Sequence, residues 1–417
     1  MLTSVTPNTV KCCTRLLITS EEHYSVSASG AIYSCGPANY ASWSRYLAVF
    51  DEVLVLARVT ESGCQENEHQ RADGSRVLFR SLPDHTGPWQ YLQFRRQAGI
   101  VARNAIKECS AYLLRVPGLV SQMVWHELLR AKKPYTLEVM GDPWEALGPG
   151  TWPHISRPIF RRIATKQLKR ICTGAVAVNY VTSETLQKRY SPSKSAYAVG
   201  FSDVSLGNTS APPEMIERRY RRLHELPWQD AKGASPIRIG FIGSFARMYK
   251  GADTLIHAVA LCQGRFNFEL TMVGAGRHLP EMKTLATELG IADRVEFLGK
   301  LTSGLSIFEF LDSIDLFVMP SRAEGLPRAL VEAMSRGCPC IASAVGGIPE
   351  LLEPDDLVPP GAPKKLAKLI LQIVADSNRL HAMSTRNLAK AAQFNPQAIN
   401  ESRRAFLEEV KRGSSLS

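Results

Sequence analysis

The stretch "DLFVMPSRAEGLPRALVEAMSRGCPCIASAVGG", residues 315–347, decides how this chain folds. Leu316 to Met319 read as a strand, Ser321 to Gly325 as a loop, and Pro327 fits the first position of a helix, where its missing N–H costs nothing. Leu326, Leu330, Ala333 and Gly337 fall in a narrow arc at about 100° per residue, the face a helix lays on a sheet. "PCIAS" then reads as a second strand. Neither strand alternates with polar residues, so both faces are expected to be covered, as in a parallel sheet with helical crossovers.

Working outward, the same pattern covers the whole chain. "RLLIT", "EVLVLA", "VLFRSL", "AYLLRV", "YTLEVMG", "GAVAVNY" and "AYAVGF" recur in the first half, and "IRIGFIG", "FELTMVG", "RVEFLG", "DLFVMP" and "CPCIASAVGG" in the second. Between them lie longer segments of helical period. A chain of 417 residues with 45% hydrophobic content exceeds one core. The expectation is an α/β fold of two Rossmann-like, doubly wound parallel-sheet domains. The N-terminal domain spans residues 1–205; a connection with a charged, helix-compatible middle spans 206–236. The C-terminal domain spans 237–395, and residues 396–417 form a last helix that packs back toward the first domain.

Composition narrows the partners. Net charge is +11, and residues 1–205 hold 24 Lys/Arg against 16 Asp/Glu, whereas residues 206–417 hold 26 against 23. That excess favours a phosphorylated small molecule, an anionic membrane or nucleic acid, and the missing aromatic RNA-binding motif argues against the last. The nine cysteines (12, 13, 35, 64, 109, 172, 262, 338 and 340) form neither a disulfide framework nor a zinc pattern, and read as reduced thiols. With no 18-residue apolar run and no signal-peptide pattern at its N-terminus, the sequence reads as cytoplasmic.

In "IRIGFIGSFARMYKGADTLIHAVALC", residues 237–262, a strand passes through Gly243-Ser244-Phe245 to Lys250-Gly251 and a helix. A lysine ahead of a helix N-terminus sits where the dipole is already positive, which is unfavourable unless an anion is held there. A solvated loop lysine is the ordinary alternative. The glycines, with Gly274 and Gly276 further on, match neither GxGxxG nor GxxxxGK[ST], so dinucleotide-oxidoreductase and P-loop readings lose ground. Glu324 precedes its helix at the carboxyl end of the sheet, where ligands bind such folds. Glu332 lies about 9 Å further along the helix and off its apolar stripe, so the two are not a facing acid/base pair. Two carboxylates with a phosphate site between them suit an extended ligand bearing hydroxyls at both ends of a diphosphate, the order of parts in a nucleotide-sugar. For Glu332 an i,i+4 ion pair with Arg336 is the competing reading.

"PSRAEGLPRALVEAMSRGCPCIASAVGGIPELL", with "GSFARMYKG" and "VGAG" followed by "ELGIADRVEFLGKL", resembles the donor domain of a GT-B glycosyltransferase of family 4, the retaining class. The likeness runs over residues 237–395 and is looser in the first domain, where "YLAVFDEVLVLARV", "LLRVPG" and "LEVMGDPWE" are similar to enzymes that build bacterial surface polysaccharides. The resemblance implies that Glu324 contacts the transferred sugar's hydroxyls and Glu332 the ribose. Lys250 would hold the diphosphate with backbone amides near Gly243 and Ser244, and Leu298, Gly299 and Lys300 would lie beside the base. Gly274, Gly325 and Leu326 complete the donor-binding set. Many relatives carry an arginine where this chain has Ser244, which makes Arg247 a candidate substitute. Many also place a histidine ahead of the acceptor-loop glycine, where this chain has Met140-Gly141-Asp142.

The implied activity is transfer of a sugar from a nucleotide-diphosphate-sugar to a saccharide acceptor, lipid-linked or a growing oligosaccharide, in surface-polysaccharide synthesis. Fixed cations and N–H donors can stabilise the leaving diphosphate, and with no DxD or His cluster in view the expectation is catalysis without a metal or cofactor. Glu324, Lys250 and Asp142 are the catalytic candidates; Asp142 either lines the acceptor side or N-caps Pro143-Trp144-Glu145. His126 reads as structural. Helix 157–171 sets Phe160, Ile163, Ala164, Leu168 and Ile171 against Arg161, Arg162, Lys166, Lys169 and Arg170. Its apolar face either packs on its own domain or meets anionic lipid, placing the protein at the inner membrane face. A GT-B epimerase and a catalytically silent nucleotide-sugar binder are the alternatives.

Overall fold

The computed structural model describes residues 13–34, 36, 38–60, 70–83, 88–151, 154–204, 206, 211–225, 235–301 and 304–414. Cys12, Cys35, Cys64 and parts of the 206–236 connection lie outside the described residues. Every apolar run quoted above contains a strand. The first sheet comprises Arg15–Val26 (β1), Ile32–Ser34 (β2), Glu52–Thr60 (β3), Gln70–Arg71 (β4), Val77–Leu82 (β5), Ala111–Val116 (β6), Thr136–Val139 (β7), Ala177–Tyr180 (β8) and Tyr197–Gly200 (β9). Its parallel body runs β5-β3-β1-β6-β7-β8-β9.

Here one expectation needs amending, because the sheet is mixed rather than purely parallel. β1 continues to Val26, turns at Gly30 with φ +81°, and pairs antiparallel with β2, which pairs antiparallel with β4. The Ser27 N–H donates to Ala31 O at 2.9 Å and closes that turn. β2 and β4 are too short to leave a periodic trace in the sequence.

The second sheet is wholly parallel: Ile237–Ile242 (β10), Phe268–Val273 (β11), Val295–Gly299 (β12), Leu316–Met319 (β13), Cys340–Ser343 (β14) and Leu357–Val358 (β15), in the order β12-β11-β10-β13-β14-β15. Numbered within its domain this is 3-2-1-4-5-6, the doubly wound order whose ligand crevice opens where the winding reverses, here between β10 and β13. The helix of the opening stretch, Arg328–Ser335, starts one residue later than expected, with Pro327 extended ahead of it. Val331 and Met334 are buried along with Leu330 and Ala333, so the covered face is wider than the sequence stripe. The helix Ser377–Ala391 packs over it from the other side.

The connection carries the helix Pro213–Glu225, which belongs physically to the second domain. Arg219 donates to Ile314 O and Leu311 O, each at 2.7 Å, and Arg222 joins Arg238 on the buried Asp315. The last helix, Pro396–Ser414, lies on the first domain, where Ile399, Phe406, Leu407 and Val410 share a core with Leu16, Val55 and Leu113. Cys109, Cys172, Cys262, Cys338 and Cys340 are buried and unbridged, and Cys13 is exposed and unbridged. In the helix Arg157–Thr173 the expected apolar face divides: Leu168 and Ile171 are buried, whereas Phe160 and Ile163 are exposed.

Phe406 is fully buried against the first sheet. Phe406→Ala removes a large ring from a closed core and should cost about 3–5 kcal/mol. A denaturant midpoint lowered accordingly is the expected reading; an unchanged midpoint would mean the last helix is not part of this core.

Candidate functional site

Three glycines mark the carboxyl edge of the second sheet. The Gly243 N–H, after β10, donates to Val273 O at 2.9 Å, and the Gly274 N–H, after β11, donates to Gly299 O at 2.7 Å. Gly274 has φ +145°, and a Cβ there would lie 1.8 Å from Gly243 O, so only glycine fits. The segments around Gly243, Gly274 and Leu298 to Lys300 are therefore brought to one edge. Of the amides near Gly243 and Ser244 expected to meet phosphate, that of Gly243 is engaged with the end of β11. The Phe245 N–H goes to Ala275 O and the Ala246 N–H to Ser244 Oγ. Ser244 and Arg247 are exposed at the crest of the loop, with Lys300 and Leu298 exposed beside it.

Lys250 ends a single tight turn, Met248–Lys250, and Gly251, φ +74°, turns the chain into the helix Ala252–Ala260. A Cβ on Gly251 would stand 2.0 Å from Pro320 O, so this turn is pressed onto the end of β13. That contact brings Lys250 Nζ to 2.8 Å from Glu324 Oε1, an oxygen that also accepts from Ser321 Oγ at 2.7 Å. The two side chains are 18% and 7% exposed. Burial alone would lower the Lys250 pKa, but the Glu324 carboxylate and Tyr249 together outweigh it and hold the ammonium above the ordinary lysine value. Arg322 fixes the loop. Its guanidinium grips Asp253 at 2.6 and 2.8 Å and donates to Met248 O at 2.7 Å.

Glu332 Oε1 accepts from Arg328 Nε at 2.8 Å. Its i,i+4 partner is thus Arg328 rather than Arg336, because Arg336 follows the helix's last turn and binds Asp312 at 2.7 Å instead. Glu324 and Glu332 consequently stand in separate ion pairs.

The first domain closes on this edge. Gly325 lies so near Met140 that a Cβ would be 2.2 Å from its carbonyl oxygen, and Leu326 packs into the cores of both domains. Glu350 accepts from the Ser183, Glu184 and Thr185 amides at 2.7, 3.1 and 2.7 Å and from Thr185 Oγ1 at 2.6 Å. Of the two readings of Asp142, the structure realises the N-cap: its buried carboxylate accepts from the Trp144 N–H at 2.8 Å and is held by Arg189 and Tyr190. Its neighbour Glu145 faces the Gly346 and Glu324 amides instead; burial raises its pKa, with Asp142 adding to the effect against the pull of those N–H groups and Arg189. His126 sits on an exposed helix face near Arg130 and Arg170, and its pKa is lowered by burial and by those two charges. Arg322, Glu145 and Glu350 lie inside the quoted motifs but escaped the sequence reading, since each acts on a segment distant in the chain.

Residues 236–376 match the family of glycosyl transferases group 1. Protein CapJ of Staphylococcus aureus is 26% identical over 385 residues, covering 91% of this chain and 92% of CapJ. The 2-deoxystreptamine glucosyltransferase of Streptomyces kanamyceticus is 28% identical over 58% of this chain and 62% of its own length. Among solved structures, HepE of Anabaena in complex with UDP and glucose superposes with a TM-score of 0.63 at 20% identity, covering 95% of this chain and 99% of that one. The shared architecture is the two-domain GT-B fold.

The Glu350 contact predicts how the domains respond to acid. Burial works to raise its pKa, but the Thr185, Ser183 and Glu184 donors outweigh burial and lower it. A depressed carboxylate favours the docked form at higher pH, and that contribution disappears as pH falls through the lowered value. Glu350→Ala should increase the radius of gyration in small-angle scattering at neutral pH and remove its acid dependence. A radius identical to wild type at every pH would show that the contact does not hold the cleft closed.

Proposed function

We propose that this chain, whose residues 236–376 form a group 1 glycosyltransferase domain, is a retaining family 4 enzyme. It moves a sugar from a nucleotide-diphosphate-sugar to a saccharide acceptor. The observation that carries this reading is the Lys250–Glu324 pair at the switch point of the second sheet. A diphosphate set against Lys250 meets a cation that Glu324 keeps protonated, and the remaining lone pairs of Glu324 are free to accept from sugar hydroxyls. The anomeric carbon to phosphate-oxygen bond breaks with its electron pair leaving on the diphosphate. The acceptor oxygen bonds to the same face of that carbon, and its proton passes to the departing phosphate. This route asks for no metal and no separate base.

Glu332 takes the ribose hydroxyls on its second oxygen while Arg328 holds the first. The UDP complex of HepE and the glucosyl transfer named for the Streptomyces relative support a nucleotide-sugar donor. For the acceptor, the +8 balance of residues 1–205 supports a polyprenyl-diphosphate-linked saccharide at the inner membrane face, in surface-polysaccharide synthesis. Among the described residues no helix is long and apolar enough to cross a membrane, so contact would be peripheral.

A thermal-shift and hydrolysis screen against UDP-, GDP- and ADP-sugars identifies the donor. With that donor, Glu324→Ala should lower turnover by about 10²–10³-fold while the nucleotide still binds. Glu332→Ala should weaken nucleotide affinity by about tenfold or more, and a chelator should leave the rate unchanged. Wild-type protein that binds the donor but neither transfers nor hydrolyses it would make this a silent binder.

A further inference from the structure

The helix Arg157–Thr173 presents to solvent the apolar residues that would ordinarily be covered. Ile155, just ahead of it, is 96% exposed, Ile159 63%, Ile163 55% and Phe160 46%. Ile155, Ile159 and Ile163 are spaced by four and share one stripe, which Lys166 and Arg170 continue, both exposed. Arg162 and Lys169 flank the stripe and are exposed as well. The opposite side of the helix holds Leu168, Ile171 and Cys172 in the domain core, so the exposed isoleucines are surplus to folding. No Asp or Glu occurs between Glu145 and Glu184, while this span holds six Lys/Arg.

We propose that this stripe is a docking site for an anionic lipid surface, with Ile155, Ile159 and Ile163 entering the headgroup boundary. Lys166 and Arg170 meet lipid phosphates. The apolar tip followed by a basic shank sets the helix obliquely, its N-terminal end deepest. Two turns of side chains match the roughly 5–10 Å depth at which interfacial helices sit. A protein partner would have to pair an apolar tip with an acidic surface over an acid-free stretch of this chain; a bilayer containing acidic lipid supplies both features at once.

The site also lies next to the cleft. Arg161 Nε donates to Trp144 O at 2.6 Å with its guanidinium over the Trp144 ring, and Arg157 donates to Gly148 O at 3.3 Å. The Asp142 to Gly150 loop is thereby tied to the start of the docking helix, and Glu145 in that loop faces the Glu324 amide. A saccharide on a membrane carrier would be delivered beside the site rather than across the protein. This deepens the lipid-linked-acceptor reading and rests on it for its purpose, though vesicle binding itself requires no donor.

Flotation of the full chain with vesicles tests it. Wild type should bind an equal mixture of phosphatidylglycerol and phosphatidylcholine, and bind pure phosphatidylcholine weakly. The triple variant Ile155→Ser, Ile159→Ser, Ile163→Ser should lose at least about tenfold in partitioning at low and high salt. Lys166→Glu with Arg170→Glu should lose binding to the acidic vesicles at low salt, where surface charges act at longer range. Both variants alter exposed side chains, and unchanged thermal melting confirms folding. Wild type that stays off acidic vesicles, or a triple variant that binds as well as wild type, overturns the proposal. So does self-association in sedimentation that the triple variant abolishes without any vesicle binding, which would assign the stripe to a second copy. If vesicle binding holds but no donor is ever consumed, the transferase reading alone fails.

Discussion

The approach of Gly251 to the Pro320 carbonyl is the contact on which the site depends. A side chain at Gly251 would overlap that oxygen, and the left-handed backbone there is one that glycine alone adopts without strain. The turn after β10 therefore lies directly against the end of β13, the strand that the winding of the sheet makes its neighbour. Lys250 and Glu324, separated by 73 intervening residues, become bonded partners as a consequence of topology and one missing Cβ. Arg322, gripping Asp253 and Met248 O, fixes the same two loops from below.

A second set of contacts joins the halves. The last helix leaves the second domain and buries Phe406 in the first, while Arg403 comes within 3.8 Å of Asp203, which also pairs with Arg45 and Arg115. The arginines hold Asp203 well below the usual carboxylate range even though its burial works the other way. Removing one member of such a buried cluster strands the others, so the helix is retained by charge as well as by its apolar face. Across the cleft the contacts are of another kind: Glu350 on three amides and a hydroxyl, and Gly325 against Met140. Apart from Leu326, which packs into both cores, these contacts are polar and partly solvated, which suits surfaces that separate and return.

Much of the fold was legible because a strand buried on both faces leaves an unbroken apolar run. Leu316 to Met319 are all buried, and Cys340 to Ser343 beside them carry the same signature. β2, β4 and β15, of two or three residues, are too short for a two-residue alternation to show. Lys250 and Glu324 could be found because each stands beside an element boundary where a charge is conspicuous. Their mutual contact could not, nor could the choice of Arg328 over Arg336 for Glu332: spacing is the same in both directions, and the end of the helix decides. Asp142 had two readings from one sequence; the Trp144 N–H it accepts realises the cap, and its further partners Tyr190 and Arg189, distant in the chain, could not be foreseen. The amphipathic helix was recognised while its orientation was not, since periodicity identifies a stripe without saying which neighbour covers it.

Stability gives little reason to keep the Lys250–Glu324 pair. Taking both charges out of water costs several kcal/mol per ion, and a well-packed apolar pair of similar volume would serve the fold as well or better. The pair has a reason if the charge is needed before the ligand arrives. An ammonium held in place by a fixed carboxylate needs no reorganisation when a diphosphate develops charge beside it, and the low dielectric of a closed cleft strengthens its pull. A solitary buried lysine would drift toward its neutral form and lose that pull. In the proposed reaction Glu324 would preserve the charge that acts on the leaving group while presenting its remaining acceptor capacity to the sugar, so that one ion pair would serve both ends of the bond to be broken.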